Sequence, residues 1–426
     1  MQIHRRVLLA AAFAAILSTI VLSGCGGGGS DGSNSTAPAS AAPASSPAAA
    51  SASQPAPPAP PPDDTVAQST TPNVQPIRVS KLVTNTRNML MTSVTVCVPG
   101  TDDCQTIDDI QVDTGSQGLR ILASALAPLA LPAVTNGDGS NAAQCTVFGS
   151  GYTWGAVRTA DIKLAGHVAR ATSIQAIADP AVPAAAADCT KSGLPMLTAD
   201  RLRSNGILGV GPFSADCGGA CASAALPRWY YACASGNCTA STLPVAQQVT
   251  NPVARFPADN NGVLIELPAV PDGGASAVAG TMTFGIGSQS NNLLGDATVL
   301  KGSALSGFVS TNFDGSTFST SFIDSGSNGL FFPSKDLKTC GFWYCPPSPT
   351  SLTATLRSAS GVTRDVSFAV STSTTLFASG NNAFSNLAGP VGNYFDWGLP
   401  FFYGRRVFTA FEGRVTPAGK GPYYAF

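Results

Sequence analysis

Two short segments of the chain place an aspartate in nearly identical surroundings. The first is VDTGSQGL, residues 112–119, and the second is IDSGSNGL, residues 323–330. The segments agree in residue or chemical type at all eight positions, so they form an internal repeat around a carboxylate. Two equivalent carboxylates that lie close together can share one proton, so that one acts as base and the other as acid. The repeat therefore predicts acid–base hydrolysis by Asp113 and Asp324.

The histidine content narrows the chemistry further. The sequence has two histidines, His4 near the N-terminus and His167 in LAGHV. A Ser-His-Asp hydrolase needs a histidine beside its nucleophile, and neither Ser116 nor Ser327 lies in a Gly-x-Ser-x-Gly motif. We interpret His167 as a turn residue between strands. Histidine-based metal catalysis is disfavoured for the same reason, and we expect neither a metal nor another cofactor.

Residues 1–25 have the pattern of an export signal. A basic start, MQIHRR, precedes an apolar stretch over residues 7–22, which is shorter than the roughly 20 residues of a spanning helix. The following Leu22-Ser23-Gly24-Cys25 resembles the lipobox of bacterial lipoproteins, in which the cysteine becomes the lipidated first residue. We therefore predict an exported protein that is anchored by lipid at Cys25 in the bacterial cell envelope, on the outer membrane or the periplasmic face. An ordinary signal peptide with a chance cysteine is the alternative.

The composition changes twice along the rest of the chain. Residues 26–77 are rich in Gly, Ser, Ala and Pro with few large apolar side chains, so we predict a disordered tether. Residues 78–426 are long for one hydrophobic core, and we predict two lobes, 78–275 and 276–426. Only 11% of the residues are charged and the net charge is −1, so no nucleic-acid partner is expected. The sequence leaves the oligomeric state open.

Ten of the eleven cysteines remain if Cys25 carries the lipid, and an oxidising compartment then favours five disulfides. Two pairs enclose short turns, and two further cysteines are left as a long-range pair by elimination. A cluster of four has spacings that favour local disulfides, although a four-sulfur zinc site is the alternative. In this order the residues are Cys97 with Cys104, Cys340 with Cys345, Cys145 with Cys189, and the cluster Cys217, Cys221, Cys233 and Cys238.

Short apolar or alternating runs dominate the pattern of residues 78–426. Examples are MLMTSVTVCV, RTADIKLAG, TSFIDSG and RVFTAFEG, which are separated by Gly, Pro, Asn and Asp. Helical periodicity is confined to short stretches such as SALAPLALP and LPVAQQV. The pattern predicts an all-β protein.

The order of the motifs resembles the pepsin-like aspartic proteases. In that family each Asp-Thr/Ser-Gly is followed in its lobe by two apolar residues and Gly, on a strand that crosses the Asp loop. NGILGVG, residues 205–211, looks like the first such segment, and GTMTFGIG, residues 280–287, is similar to the strand that opens the region between the lobes. Residues 397–413 resemble the segment that closes the second lobe. The resemblance covers most of residues 85–426 and implies a bilobal double β-barrel with an active-site cleft between the lobes.

The resemblance also implies roles for the two motifs. The aspartates would be the catalytic dyad, and the hydroxyl residues after them would bond across the two loops. The glycines would allow close approach to the carboxylates, and the following serines would bond their outer oxygens. In chain order these residues are Asp113, Thr114, Gly115 and Ser116, and then Asp324, Ser325, Gly326 and Ser327.

Two positions depart from the family pattern. The hairpin that covers the cleft has Phe148 where the family has a tyrosine, so that Tyr152 or Trp154 could supply a polar edge. Ordinary hairpin packing is the alternative for these aromatic residues. The second apolar-apolar-Gly motif reads Gly398-Leu399-Pro400, and because proline lacks a backbone donor we expect this strand crossing to be built differently.

The sequence thus predicts an exported, lipid-anchored aspartic endopeptidase that hydrolyses peptide bonds with a water activated by the two aspartates. Its partner would be a peptide or protein substrate, and it would contact the membrane only through the anchor. The alternative is a catalytically inactive envelope lipoprotein of pepsin fold that acts as a binding or structural module. A glycosidase is disfavoured, because its acid and its nucleophile require different surroundings, whereas the contexts of the two aspartates are nearly identical.

Overall fold

The computed structural model describes residues 71–426. The export signal, Cys25 and most of the predicted tether lie outside these residues. Strands predominate in the described part, and its few helices are short, so the all-β prediction is confirmed. None of the helices in this part is long and apolar enough to cross a bilayer.

The strands before residue 276 include a long hairpin and the strand that leads to the first aspartate. They are β1 Val74–Val79, β2 Met91–Cys97, β3 Cys104–Asp113, β4 Gln117–Leu122, β5 Asn141–Phe148, β6 Gly151–Leu164, β7 His167–Ile177, β8 Gly206–Val210, β9 Tyr230–Ala234, β10 Asn237–Ala240 and β11 Gly262–Leu267.

The later strands include the one that leads to the second aspartate. They are β12 Val278–Phe284, β13 Val299–Lys301, β14 Val309–Phe313, β15 Ser316–Ile323, β16 Leu330–Phe331, β17 Thr339–Cys340, β18 Trp343–Tyr344, β19 Thr350–Arg357, β20 Thr363–Val370, β21 Ala388–Gly389, β22 Phe395–Trp397, β23 Arg405–Ala410, β24 Val415–Thr416, β25 Gly419–Lys420 and β26 Tyr423–Ala425.

The helices within residues 71–426 are single turns or little more. The α-helices are α1 Ala123–Leu126, α2 Ala187–Thr190, α3 Ala199–Leu202, α4 Gly219–Ser223 and α5 Ser373–Ala378. The 3₁₀ turns are Val245–Gln247, Pro252–Arg255, Ser290–Asn292 and Leu399–Phe402.

The first half of the chain closes into a barrel. Strands β6, β7, β4, β8, β3 and β2 are hydrogen-bonded in that order, and β2 also pairs with β6. Closure leaves no free edge on this part of the sheet. Apolar residues such as Val94, Ile110 and Leu208 are fully buried within the main core.

The same sheet continues through β1, β12, β11, β23, β26 and β13, which joins strands from both halves. The second half contributes its own sheet in the order β20, β19, β14, β15, β22, β16 and β21. Its core is aromatic, with Phe332 stacked on Phe395 and Phe395 stacked on Trp397. The expected two-lobed fold is therefore confirmed, while the lobe boundary after residue 275 stays a prediction.

The first strand begins earlier than the predicted end of the tether. The tether was expected to reach residue 77, but Val74 already starts β1, which pairs with β12. Gln75, Ile77 and Val79 alternate inward and are buried. The tether boundary was therefore placed too late, because a single alternating strand next to a Pro- and Gln-containing segment gives little compositional contrast.

The five predicted disulfides are confirmed within residues 71–426. The long-range pair Cys145–Cys189 joins β5 to α2 with a Cα–Cα distance of 5.9 Å. The four clustered cysteines form two local disulfides, so the zinc alternative for their sulfurs is wrong. These two bonds are Cys217–Cys221 and Cys233–Cys238.

Candidate active site

Both copies of the repeat are built from the same arrangement of strands. In the first copy, β8 runs parallel to β3 and antiparallel to β4, with Asp113 opposite Gly209. In the second copy, β22 runs parallel to β15 and antiparallel to β16, with Ile323 opposite Trp397. Each aspartate therefore lies at the end of one strand and beside a second strand that crosses its loop.

This register corrects the expectation for Gly398-Leu399-Pro400. Because Ile323 pairs with Trp397, the counterpart of Gly209 is Gly398, and a Cβ at Gly398 would lie 2.1 Å from the carbonyl oxygen of Gly329. Pro400 lies beyond the crossing in the 3₁₀ turn that starts at Leu399. The prediction that Pro400 alters the strand crossing is thus wrong. Asp396 stands in the segment where an apolar residue was expected, which hid the correct register.

The two loops exchange hydrogen bonds through their buried hydroxyl residues. Thr114 Oγ1 donates to the carbonyl oxygen of Ile323 at 3.0 Å and accepts from the amide of Ser325 at 2.9 Å. Ser325 Oγ donates to the carbonyl oxygen of Val112 at 2.8 Å and accepts from the amide of Thr114 at 3.2 Å. Both side chains are fully buried, so these bonds have no competition from solvent. They hold the two loops face to face.

The first carboxylate accepts three hydrogen bonds from its own loop. Oδ1 of Asp113 accepts from the amide of Gly115 at 2.7 Å and from that of Ser116 at 3.2 Å. Oδ2 accepts from Ser116 Oγ at 2.5 Å. Such donors stabilise the ionised form of a carboxyl group.

The second carboxylate accepts two such bonds. Oδ1 of Asp324 accepts from the amide of Gly326 at 2.7 Å, and Oδ2 accepts from Ser327 Oγ at 2.8 Å. Two carboxyl groups this close cannot both ionise cheaply, and the smaller number of donors favours Asp324 as the carrier of the proton.

The glycine of each motif lies against the aspartate of the other. A Cβ on Gly115 would be 2.6 Å from Cγ of Asp324, and a Cβ on Gly326 would be 2.6 Å from Cγ of Asp113. Any side chain at these positions would separate the carboxyl groups.

Burial and neighbouring charge act together on the second aspartate. Asp324 is 9% exposed, and its burial is the main cause that raises its pKa well above the ordinary value. The charges of Asp113 and Asp396 raise it further, and the bond from Ser327 opposes them. Asp324 therefore retains a proton at pH values where an exposed aspartate has lost it.

The sequence analysis missed a third carboxyl group at this site. Asp396 is 4% exposed, and its burial raises its pKa well above the ordinary value. A bond with Ser327 lowers this pKa and the charge of Asp113 raises it. The signal was an aspartate within the otherwise apolar run YFDWG, but nothing local indicates what it faces.

The predicted covering hairpin is formed by β5 and β6, which pair from Ala143 to Phe148 across a turn at Gly149 and Ser150. Phe148 is partly buried, and the Arg120 guanidinium lies 5.9 Å from its ring centroid. The ring therefore rests on a buried cation close to the turn of the hairpin.

The other two aromatic residues of the hairpin belong to a separate buried cluster. Tyr152 is 5% exposed and Trp154 is 3% exposed. Trp154 Nε1 donates to the carbonyl oxygen of Pro183 at 2.8 Å, and its ring packs edge-on against Tyr231. The donor of Trp154 is thus already used, and the packing alternative fits both residues.

Residues 69–426 match the family described as "Protein of unknown function (DUF3443)". The chain belongs to this family. No curated protein matches the sequence. The crystal structure of an aspartic proteinase from Irpex lacteus is similar with 16% identity and a TM-score of 0.47, over 83% of this chain and 96% of that one.

A second feature that sequence reasoning missed in this DUF3443 chain is a buried ion pair beneath the hairpin. Arg120 is 1% exposed, and its Nη2 lies 3.2 Å from Oδ2 of Asp216. Tyr230 donates to Oδ1 of Asp216 at 2.6 Å, and Gln144 donates to its other oxygen. Burial raises the pKa of Asp216 to about 6, and the Arg120 charge opposes this rise. This network supports the base of β5 and does not include either aspartate of the repeat.

The histidine that was interpreted as a turn residue begins β7, directly after a turn. His167 stacks on Phe256 with 4.9 Å between ring centroids, and its Nε2 lies 3.2 Å from Oδ2 of Asp259. These contacts bind the strand to a neighbouring turn.

Proposed function

We propose that this protein is an aspartic endopeptidase, exported and anchored by lipid at Cys25. The observation that carries the proposal is the close approach of the two Asp loops, in which the glycine of each motif lies against the aspartate of the other. Their loops are tied together by the exchange between Thr114 and Ser325. A pair of this kind is suited to general acid–base hydrolysis.

The chemistry follows from the unequal state of the pair. Two close carboxylates cannot both ionise cheaply, so the pair holds one proton and titrates as a unit. Asp113, which accepts the larger number of donors, acts as the base and takes a proton from an attacking water. The protonated Asp324 transfers its proton to the carbonyl oxygen of the peptide bond as the water oxygen forms a bond to the carbonyl carbon. The carbon–nitrogen bond of the tetrahedral intermediate then breaks as the proton on Asp113 passes to the leaving nitrogen, and a hydroxyl group of the intermediate returns a proton to Asp324.

Export agrees with the disulfide content of the described part. Five disulfides over residues 97–345 suit an oxidising compartment such as the bacterial periplasm or cell surface. A lipid on Cys25 would hold the enzyme at the envelope, where its substrates would be peptides or unfolded proteins.

The proposal is tested by hydrolysis of an unfolded protein at acidic pH by the full-length chain in mild detergent. We expect Asp113→Asn and Asp324→Asn each to lower kcat by a factor of about 10⁴ or more, because each removes half of one catalytic unit. Asp161→Asn is the matched control, since Asp161 is a buried aspartate that bonds the amides of Gly100 and Ala171.

Cleavage that persists in either dyad variant would contradict the mechanism. Complete inactivity of the folded wild-type chain, together with no binding of a statine-type transition-state mimic, would instead favour a binding or structural envelope protein.

A further inference from the structure

A third carboxyl group lies beside the two aspartates of the repeat. Asp396 is in the middle of β22, where it pairs with Phe322 on one side and Phe331 on the other. Among the described residues, no Lys, Arg or His lies within ion-pair distance of Asp113, Asp324 or Asp396. Within residues 71–426 the three carboxyl groups therefore form a buried acidic cluster without a counter-ion.

Ser327 contacts one member of this cluster directly, since its Oγ donates to Oδ2 of Asp324 at 2.8 Å. Asp396 pairs with Phe322, which lies two residues before Asp324 in the chain. Oδ1 of Asp396 is buried and has no hydrogen-bond partner among the described residues. After burial and the charge of Asp113, the charge of Asp396 is a further cause that raises the pKa of Asp324.

The other titratable groups near the cluster keep a constant charge. The nearby groups are the tyrosines Tyr394 and Tyr424, which sense the charges of Asp324 and Asp396. Burial is the main cause that raises the pKa of Tyr394 to about 12, and burial also raises the pKa of Tyr424. Both are neutral over the range in which the carboxyl groups titrate, so the three aspartates alone set the charge of the cluster.

We propose that Asp396 is a positioning residue of the site, whose buried carboxyl group acts on the protonation of the neighbouring Asp324. It thereby extends to higher pH the range in which the catalytic pair keeps its proton. This inference rests on the proposed endopeptidase function and concerns the same site.

The physical reason is the accumulation of like charge. Removal of the last proton from three buried acids leaves three negative charges, whereas two acids would leave two. Asparagine at position 396 would remove one charge from this cluster. This change lowers the pKa of Asp324, so the pair would lose its proton at a lower pH.

The test is the pH dependence of kcat/KM for full-length wild-type chain, Asp396→Asn and the control Asp161→Asn. We expect the alkaline limb of the pH profile of kcat/KM to move to lower pH by about one unit in Asp396→Asn. The value of kcat at the pH optimum should change little. Asp161→Asn should leave the limb in place. An unmoved limb in an active Asp396→Asn variant would overturn the proposal. If Asp396→Asn does not fold, the same pH profile is measured for Asp396→Ile, because isoleucine is the residue at the equivalent position 207 of the first half.

A second measurement does not depend on activity. The raised pKa of Asp396 in the folded state means that its contribution to stability is fully present below about pH 4, the ordinary value for aspartate. This contribution is lost as the pH rises through the folded-state pKa. The thermal midpoint should therefore fall less between about pH 5 and pH 8 in Asp396→Asn than in wild type or Asp161→Asn.

The two measurements separate the two proposals. If the wild-type chain hydrolyses nothing, the endopeptidase proposal fails, and the thermal midpoints still decide the state of Asp396. Equal slopes of midpoint against pH in Asp396→Asn and wild type would overturn the inference.

Discussion

The two Asp loops share a backbone arrangement but place their buried charges differently. At equivalent positions around the crossing strand, the first half has Gln111, Ile207 and Arg120, and the second half has Phe322, Asp396 and Phe331. The buried charge of the first half is Arg120, which is paired with Asp216. The buried charge of the second half is Asp396, which has no cationic partner among the described residues.

The residues that hold the backbone of the site are therefore different from those that set its protonation. The backbone arrangement must be the same in both halves, and the hydrogen bonds exchanged between Thr114 and Ser325 are accordingly symmetric. The protonation states of the two aspartates must differ, because a catalytic pair works as one acid and one base. The contact of Gln111 Nε2 with the carbonyl oxygen of Gly326 at 2.7 Å further distinguishes the first half, since its counterpart Phe322 cannot donate.

The largest effect should come from breaking the charge pair of the first half. We expect Arg120→Met to lower the free energy of unfolding by about 3–5 kcal/mol, because Asp216 would remain buried without its partner. Chemical denaturation measures this loss. The counterpart substitution Phe331→Leu, which removes no charge, should cost less than about 1.5 kcal/mol. Equal costs at the two positions would contradict the difference between the halves.

A smaller loss of stability should come from removing the hydrogen bonds that Thr114 and Ser325 exchange between the two loops. Thr114→Ala leaves the amide of Ser325 and the carbonyl oxygen of Ile323 buried without their partner, so we expect a loss of about 1–3 kcal/mol. Ser325→Ala should cost a similar amount, and Thr114→Ser should restore most of the loss because the hydroxyl is retained. Denaturation curves of the three variants test the symmetry. A Thr114→Ser variant as unstable as Thr114→Ala would show that the methyl group, rather than the exchange, is what matters.

The smallest effect concerns the hairpin. Phe148→Leu removes the ring that lies on Arg120, and the lost cation–π contact is expected to cost about 0.5–1 kcal/mol. Phe148→Tyr keeps the ring and should stay close to wild type in denaturation experiments. If both variants lose the same amount, the contact with Arg120 does not stabilise the hairpin.

Much of this organisation could be predicted because it depends on short-range patterns. The repeat around Asp113 and Asp324, the alternating strands and the cysteine spacings are all local in sequence. They indicated the all-β fold, the paired loops and the five disulfides of the described part.

The missed features depend on long-range partners. Arg120 is buried because Asp216 lies beside it, and 96 residues separate the two in the sequence. Asp396 reads as a single acid in an apolar run, and only the parallel register with Phe322 brings it next to Asp324. The same aspartate hid Gly398 as the counterpart of Gly209, because the expected pair of apolar residues before the glycine is interrupted.

The central claim is that Asp113 and Asp324 act as one proton-sharing unit. The most direct measurement is calorimetric binding of a statine-type transition-state mimic to wild type, Asp113→Asn, Asp324→Asn and the double variant. We expect each single variant to bind at least about 100-fold more weakly, and the double variant to bind no more weakly than the poorer single one. Unchanged binding in either single variant, or losses that simply add as for independent sites, would contradict the claim.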